Sequence, residues 1–386
     1  MLPLLCLAAC EAFEPSAPGE EEILDGPVEG LTESENLRFI RGDVSFNDDI
    51  FTPSTGLGPL FVSTSCGSCH PGDGKGHPFT TLTRFGQTDE TGNQYLNQGG
   101  PQLQHRAIPG FVPEEIPLGA GFAKFTPPAN TGLGFIDMVT DADILSWADP
   151  SDLDGDGISG VPNWVNLKTY VSPRPESISQ NGKYIGRFGK KASTYNLLQQ
   201  TAQAYNQDIG ITSTFEYLDT HTGLESDPEI SNQAIQDVVF YLQTLKAPMP
   251  RMDAEAPQGK LIFESVGCGK CHRQEWQTGN SPISPLSNKT FYPYTDLLLH
   301  DMGSALDDGY TEGSAATNEW RTPPLWGLGL SKDSQGGAYF LLHDGRATSI
   351  DEAILLHQGE GAQSRENYQL LSADEKKKLI EFLESL

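Results

Sequence analysis

The chain has 386 residues, enough for two domains, and carries 52 Asp and Glu residues against 25 Lys and Arg, a formal net charge of −27. This acidic balance without basic clusters argues against nucleic acid and anionic membrane surfaces as partners, and favours a cationic protein partner. Glycine (41) and proline (27) are abundant, which predicts long loops.

The N-terminus has the pattern of a lipoprotein signal. A short apolar run ends in Leu7-Ala8-Ala9-Cys10, where small residues precede a cysteine that would be lipidated. The run is too short to span a bilayer and lacks a basic segment before it, so an N-terminus without a signal stays an alternative. The sequence predicts a signal peptide over 1–10, a lipid anchor on Cys10 in the periplasm, and a flexible acidic tether over 11–35.

Two pentapeptides follow the pattern C-x-x-C-H, the attachment signature of a c-type haem. The two thiols reach the two vinyl groups of one porphyrin, and the histidine becomes the proximal iron ligand. A zinc site or a redox dithiol also uses paired cysteines, but neither requires a histidine after both pairs. The sequence therefore predicts two covalently bound haem c groups, held by Cys66, Cys69, His70, Cys268, Cys271 and His272.

An amphipathic helix closes each half of the chain. The first is predicted from about Pro228 to Leu245, because its apolar residues form one stripe and Asp227-Pro228-Glu229 is an acidic helix start signal. The second begins at a capping box formed by Ser372 and Glu375 and runs to the C-terminus. A short helix starting near Gly259 leads into the second haem motif.

The prolines between these halves, in Lys246-Ala247-Pro248-Met249-Pro250, cannot continue a helix. We therefore predict a mainly α protein with long loops, built of two cytochrome c-like domains over 36–246 and 251–386. The first domain contains a large Gly/Pro-rich insertion at about 72–226.

A calcium-loop pattern lies within this insertion. Asp152, Asp154 and Asp156 occupy its first, third and fifth positions, and Gly157 supplies the turn. The twelfth position is Asn163, where a bidentate glutamate is expected. Calcium binding and a solvated Asp/Gly turn both stay open.

Seven stretches carry a resemblance to a known family, and together they span most of the chain from about residue 37 onward. They are Asp73-Gly74-Lys75-Gly76, Gly100-Pro101-Gln102-Leu103-Gln104, Asp154-Gly155-Asp156-Gly157-Ile158-Ser159-Gly160, Gly186-Arg187-Phe188-Gly189, Leu297-Leu298-Leu299-His300-Asp301-Met302-Gly303, Thr322-Pro323-Pro324-Leu325-Trp326-Gly327 and Leu342-His343-Asp344-Gly345-Arg346-Ala347. The chain resembles the bacterial di-haem oxidoreductases, relatives of the di-haem cytochrome c peroxidases.

The resemblance implies a peroxidase-like oxidoreductase. Electrons from a redox partner would enter at the C-terminal haem and reach the N-terminal haem, where peroxide or another small oxidant is reduced. A pure electron-transfer cytochrome, with both irons six-coordinate, is the alternative from another class. A redox component of a metal-uptake system is a third possibility.

The resemblance also implies axial ligands. For the second haem, the family's distal ligand lies fourteen positions after His343 of the H-D-G motif, which is His357 here. Met302 is the competing candidate for this ligand. His357 could also be an unligated histidine on the helix surface. For the first haem the resemblance supplies no matching histidine. His77 and His105 lie downstream of His70 and either could ligate, or the iron could stay five-coordinate and open to peroxide. Candidate proton carriers beside an open iron are Glu114 and Glu115.

The chain departs from the family after Gly189, where a tryptophan is common and Lys190-Lys191 stand here. An electron relay between the haems would then use another aromatic residue, Trp164 or Trp326. We interpret His343 and Arg346 as structural residues near a haem propionate or the region between the haems.

Overall fold

The computed structural model describes residues 24–251 and 256–386, and about a third of the chain is helical. The helices are α1 (Glu33–Asn47), α2 (Leu133–Asp137), α3 (Asp141–Leu145), α4 (Leu197–Ile209), α5 (Asn232–Thr244), α6 (Ala256–Ser265), α7 (Ser331–Ser334), α8 (Ile350–Leu355), α9 (Ala362–Leu370) and α10 (Ala373–Ser385). The coarse prediction of helices and long loops is confirmed, and the structure adds short strands that the sequence did not predict.

These strands form small antiparallel sheets within the described residues. They are β1 (Leu60–Phe61), β2 (Leu82–Phe85), β3 (Arg106–Ala107), β4 (Phe122–Phe125), β5 (Trp164–Val165), β6 (Ser179–Gln180), β7 (Lys183–Ile185), β8 (Trp276–Gln277), β9 (Thr290–Phe291), β10 (Leu299–Asp301) and β11 (Glu319–Arg321). Strand β2 pairs with β4, β10 pairs with β11, and β5, β7 and β6 form one three-stranded sheet.

The first helix pair is α1 against α5. A capping box of Thr32 and Glu35 starts α1. The contact is close at Gly42, because a Cβ there would lie 2.2 Å from the Asp237 carbonyl oxygen. The Asp237 carboxylate accepts hydrogen bonds from Arg38 at 2.9 Å and from Arg41 at 3.0 Å. Glycine and this ion-pair cluster therefore hold α1 against α5.

The predicted start of α5 at Pro228 is wrong by several residues. The helix begins after Ser231, whose hydroxyl accepts a hydrogen bond from the Ala234 amide at 3.1 Å. The carboxylate of Glu229 instead accepts a 2.6 Å hydrogen bond from the Thr212 amide. The acidic start signal therefore serves a neighbouring loop, while the serine caps the helix.

The second helix pair, α6 against α10, repeats the first arrangement. A Cβ on Gly259 would lie 2.3 Å from the Lys378 carbonyl oxygen and 2.4 Å from Cβ of Phe382. Helix α10 begins with the predicted capping box of Ser372 and Glu375, which is confirmed. In each half, a glycine on the helix before the haem motif thus meets the closing helix.

The predicted tether extends too far along the chain. The Val28 amide donates to the Thr244 carbonyl at 2.7 Å, and the Lys246 amide donates to the Gly26 carbonyl at 2.9 Å. Residues 26–28 therefore pair with the end of α5, so the tether does not reach residue 35. Residues 1–23, which include Cys10, lie outside the described residues. In the part of the chain that the structure describes, no helix combines the length and the apolar character that a membrane crossing needs.

The region predicted as an insertion also contributes to the core. Helix α4, capped by Asn196, buries Leu197, Tyr205 and Ile209 in the same apolar cluster as the α5 residues. A second cluster joins α6, α8 and α10. Helix α4 matters for the site because its C-terminal turn carries Asp208 to the first haem motif.

Candidate functional site

Both C-x-x-C-H motifs line one cavity of about 810 Å³. Cys66, Cys69 and His70 lie along one part of its wall, and the second motif lies along another. Residues from both halves of the chain, from Phe46 to Leu383, complete the lining. The sequence predicted the two motifs but not that they share one cavity.

The two motif histidines are held in the same way. The amides of His70 and His272 donate to the carbonyls of Cys66 at 3.0 Å and Cys268 at 2.9 Å. Nδ1 of His70 lies 2.9 Å from the Pro128 carbonyl oxygen, and Nδ1 of His272 lies 3.0 Å from that of Tyr294. A carbonyl accepts only, so Nδ1 carries the proton and Nε2 is left as a free lone-pair donor.

Burial also controls the protonation of the histidines and cysteines of both motifs. It lowers the pKa of His70 to about 4 and that of His272 to about 4, so both imidazoles are neutral at pH 7. Burial also raises the pKa of Cys66 to about 12 and that of Cys268 to about 12. Protonated thiols are poor nucleophiles, which counts against the dithiol alternative.

His357 shares the pattern of the motif histidines. It follows α8 and lines the cavity, and its Nδ1 lies 2.7 Å from the Ala353 carbonyl oxygen. After burial, the charge of His357 is the next cause that lowers the pKa of His272. His357 is therefore a cavity residue with a free Nε2 near the second motif, and not a histidine on an open helix surface.

The competitor, Met302, also lines the cavity but has different neighbours. It packs against an apolar cluster that contains Phe125, Leu306 and Trp320. The structure thus brings both candidate ligands to the cavity, and the Nδ1 anchor favours His357.

The two ligand candidates for the first haem are not cavity residues. His77 begins a short 3₁₀ turn, where its Nδ1 accepts from the Phe79 amide at 3.2 Å and its ring packs between Phe79 and Phe340. His105 is exposed. Neither histidine is brought to the first motif.

Glu114 and Glu115 also lie away from the cavity lining. The Glu114 carboxylate accepts a 2.6 Å hydrogen bond from the Gln104 amide, and burial raises its pKa to about 7. Glu115 is exposed. The structure does not bring these predicted proton carriers to the first haem motif.

A buried polar cluster that the sequence did not predict lies beside the first haem motif. Arg84 forms a 2.5 Å ion pair with Glu312 and donates to Gln102 at 3.1 Å. The side-chain amide of Gln102 in turn donates to the carboxylate of Asp208. Burial raises the pKa of Asp208 to about 6, and its charge helps to raise the pKa of Cys66. A carboxyl group that titrates near neutral pH therefore lies beside the first motif.

The predicted calcium loop docks on the second haem motif. Asp156 forms a 3.0 Å ion pair with Lys270, which lies between the two cysteines of that motif. The three carboxylates close enough to share a cation are Asp149, Asp152 and Asp154. Asp149 thus replaces Asp156 in the predicted trio, and calcium binding stays a prediction.

Trp164 and Trp326 both line the cavity, and so does a third indole that the sequence did not single out. Trp320 stacks on His343 with ring centroids 3.6 Å apart and an angle of 10°. On the same indole, Nζ of Lys191 lies 3.9 Å from the ring centroid. The interpretation of Arg346 as structural fits its contacts, since carboxylates of Asp344 and Asp308 bind it.

A sequence profile described as "Di-haem oxidoreductase, putative peroxidase" matches residues 120–386, which is more than half of the chain. The chain belongs to this family of di-haem oxidoreductases. No protein with a curated description matches it. Family membership implies haem as the cofactor.

Two solved structures are similar to this di-haem oxidoreductase at low identity. Hydrazine synthase of Kuenenia stuttgartiensis, pressurized with 20 bar xenon, shares 15% identity over 100% of this chain and 98% of that chain, with a TM-score of 0.43. A MauG-like protein associated with microbial copper homeostasis shares 13% identity over 97% and 95%, with a TM-score of 0.42.

The residues present in this di-haem oxidoreductase fit two haem groups. The cavity walls are rich in apolar side chains, and each motif offers two thiols and one neutral histidine with a free Nε2. Cys66, Cys69 and His70 would hold one group, and Cys268, Cys271 and His272 the other. The bound iron would supply one-electron chemistry whose potential depends on the axial ligands.

Proposed function

We propose that this protein is a di-haem c-type oxidoreductase with peroxidase-type activity. Its C-terminal half would take electrons from a redox partner, and its N-terminal half would use them to reduce peroxide. The observation that carries this proposal is an asymmetry between the two parts of the cavity. The second motif has a candidate sixth ligand, whereas the first has a titratable carboxyl group and no described histidine free to ligate.

The second part of the cavity supports electron transfer. His272 and His357 are half-buried and anchored through Nδ1, and the lowered pKa of each keeps it neutral, so both nitrogen lone pairs are available for one metal. Two histidine ligands would saturate the iron and give it a lower potential than a methionine ligand would. Substrate would then have no place to bind there.

The first part supports substrate chemistry. His70 would supply one nitrogen ligand to the iron, and the other described histidines that line the cavity are engaged elsewhere or lie near the second motif. Both nitrogens of His300 bind carboxylates, and Nε2 of His343 lies 2.7 Å from Asp308. An open iron position is what peroxide needs.

Asp208 would handle the proton of the substrate. Its pKa of about 6 leaves it mostly ionised at pH 7, so it can accept a proton from a peroxide that enters the cavity and return it to the leaving oxygen. Gln102 orients the carboxylate, and the ion pair of Arg84 with Glu312 fixes Gln102. General acid–base catalysis of this kind typically contributes about 10²- to 10⁴-fold.

The experiment that tests the proposal is a paramagnetic-resonance and optical titration of the matured, half-reduced protein with hydrogen peroxide. We expect one high-spin signal that disappears as peroxide is added, with turnover of a reduced electron donor. Two low-spin signals that ignore peroxide in both redox states would contradict the peroxidase and leave an electron-transfer cytochrome. A haem stain of the denatured protein tests covalent attachment separately.

The electron donor would be a cationic protein. The net charge of −27 attracts such a partner over distances comparable to the Debye length. The rate of reduction by a cationic cytochrome should therefore fall steeply as ionic strength rises. An anionic donor of similar potential is the matched control, and its rate should rise or stay constant.

A further inference from the structure

Four cationic side chains line the cavity and form no ion pair in the described residues, namely Lys75, Lys183, Lys190 and Arg321. The charges of Lys75 and Arg321 both act on Lys190, so these three form one cluster. The Arg321 amide donates to the Lys190 carbonyl at 3.0 Å, and Arg321 Nε donates to the Gly189 carbonyl at 3.0 Å. Lys190 and Arg321 are therefore neighbours on one wall, and their side chains use no acidic partner within residues 24–251 and 256–386.

Three other cations of the same lining are neutralised by the protein. Arg84 pairs with Glu312, Arg187 with Asp141, and Lys168 with Glu216. Asp344, the acidic residue whose charge acts on Lys190, is bound by Arg346 at 2.7 Å. A chain with 27 excess negative charges thus leaves this cluster of three cavity cations without an ion pair in the part of the chain that the structure describes.

Such an arrangement is costly unless a ligand brings the anion. A charge that is removed from water without a partner destabilises the fold, because its lost hydration is not compensated. Burial lowers the pKa of Lys190 to about 7 and that of Lys75 to about 8, and the mutual repulsion of these two lysines adds to the shift of Lys190. An anionic group in the cavity would restore both charges.

We propose that Lys75, Lys190 and Arg321 bind propionate carboxylates of the haem groups. This inference rests on the proposed loading of the cavity with two haems.

The test is the reduction potential of each haem in the holoprotein with Lys190→Met, Lys190→Arg and Lys124→Met. A cation near a haem stabilises its reduced form, so Lys190→Met should lower the midpoint potential of the haem whose propionate Lys190 binds. We expect about a tenfold change in its reduction equilibrium, about 59 mV for one electron. Lys190→Arg should keep the potential of the parent protein. Lys124→Met, at an exposed residue of β4, should also leave the potential unchanged.

The outcomes separate this inference from the proposed function. A haem stain that detects no haem in the parent protein would remove the proposed function itself. Two attached haems with unchanged potentials in Lys190→Met would overturn only the propionate assignment. Unchanged potentials combined with a weaker fluoride affinity of the first haem would mean that the cations serve a diffusible anion, which also overturns the assignment.

Discussion

The Tyr241 hydroxyl donates a 2.6 Å hydrogen bond to Oδ2 of Asp73, joining α5 to the loop that follows the first haem motif. Asp73 is fully buried and has a left-handed backbone with φ of 58°. Burial raises its pKa to about 6, while the tyrosine bond lowers it. The hydroxyl therefore stabilises a carboxylate that the protein interior disfavours.

Removal of this hydroxyl should destabilise the protein in a pH-dependent way. Because the folded pKa of Asp73 lies above its usual value of 3.8, the ionised carboxylate costs stability above about pH 6. That cost is relieved as pH falls from about 6 towards 4. Tyr241→Phe should thus lower the free energy of unfolding by about 1.5–3 kcal/mol at pH 8 and by about 1 kcal/mol at pH 5.

Denaturant unfolding at both pH values measures these differences. Tyr217→Phe is the control, because this tyrosine is 47% exposed, and its effect should be close to zero at either pH. Equal costs of Tyr241→Phe at pH 5 and pH 8 would show that the bond does not depend on the charge of Asp73.

The addition of a single methyl group at either helix pair should destabilise the protein. In Gly42→Ala and Gly259→Ala, the new Cβ would overlap a carbonyl oxygen of the facing helix. We expect each to lower the free energy of unfolding by about 1–3 kcal/mol, although alanine alone favours a helix over glycine. Ser34→Ala on the exposed start of α1 should be nearly neutral. A gain in stability from Gly42→Ala would mean that α1 and α5 lie further apart.

Replacement of the proposed ligand should change the spin state of one haem. His357→Ala should convert the second haem from low to high spin while both haems stay attached, because the fixed imidazole is lost. Met302→Leu, which keeps the apolar packing around Trp320, should leave the spectrum unchanged. The optical spectrum of the oxidised protein shows both effects, and the reverse result would assign the ligand to Met302.

Asp208→Asn should slow peroxide reduction by about 10²- to 10⁴-fold without changing the resting spectrum. The ionised carboxylate is the active base, so the parental rate should rise with pH through about 6, and the variant should lose this inflection. Glu114→Gln is the matched control outside the cavity lining. A normal rate in Asp208→Asn with a slow Glu114→Gln would return the role to the residue that the sequence suggested.

Cys10→Ala should release the protein from the membrane fraction, because the proposed lipid would have no attachment point. Fractionation of cells that express the parent and the variant, followed by a haem stain, measures this. Retention of the variant in the membrane fraction would contradict a lipid anchor on this residue.

Local signals predicted what depends on neighbouring residues in the sequence. The haem motifs and the capping box of α10 are contiguous patterns, and the structure contains the capping box as expected. The start of α5 failed for a related reason. Glu229 belongs to the predicted start signal, but its carboxylate binds the amide of the distant Thr212, and the helix begins after Ser231 instead.

Contiguous sequence patterns could not predict the acid–base cluster. Arg84, Gln102, Asp208 and Glu312 come from four separate segments, and no periodicity connects them. Only the folded chain brings them together beside the first motif. Glu114 looked equally suitable in the sequence, but its carboxylate is used to bind the Gln104 amide.

The shared cavity has a consequence for dividing this protein. The Thr126 amide donates to the His343 carbonyl at 2.8 Å, Ser159 donates to Glu360 at 2.5 Å, and Arg84 pairs with Glu312. Each half of the sequence thus supplies walls and polar partners to the other. A gene cut in the proline-rich joint should yield two fragments that cannot be matured one at a time, and that regain native redox behaviour only when they are produced together.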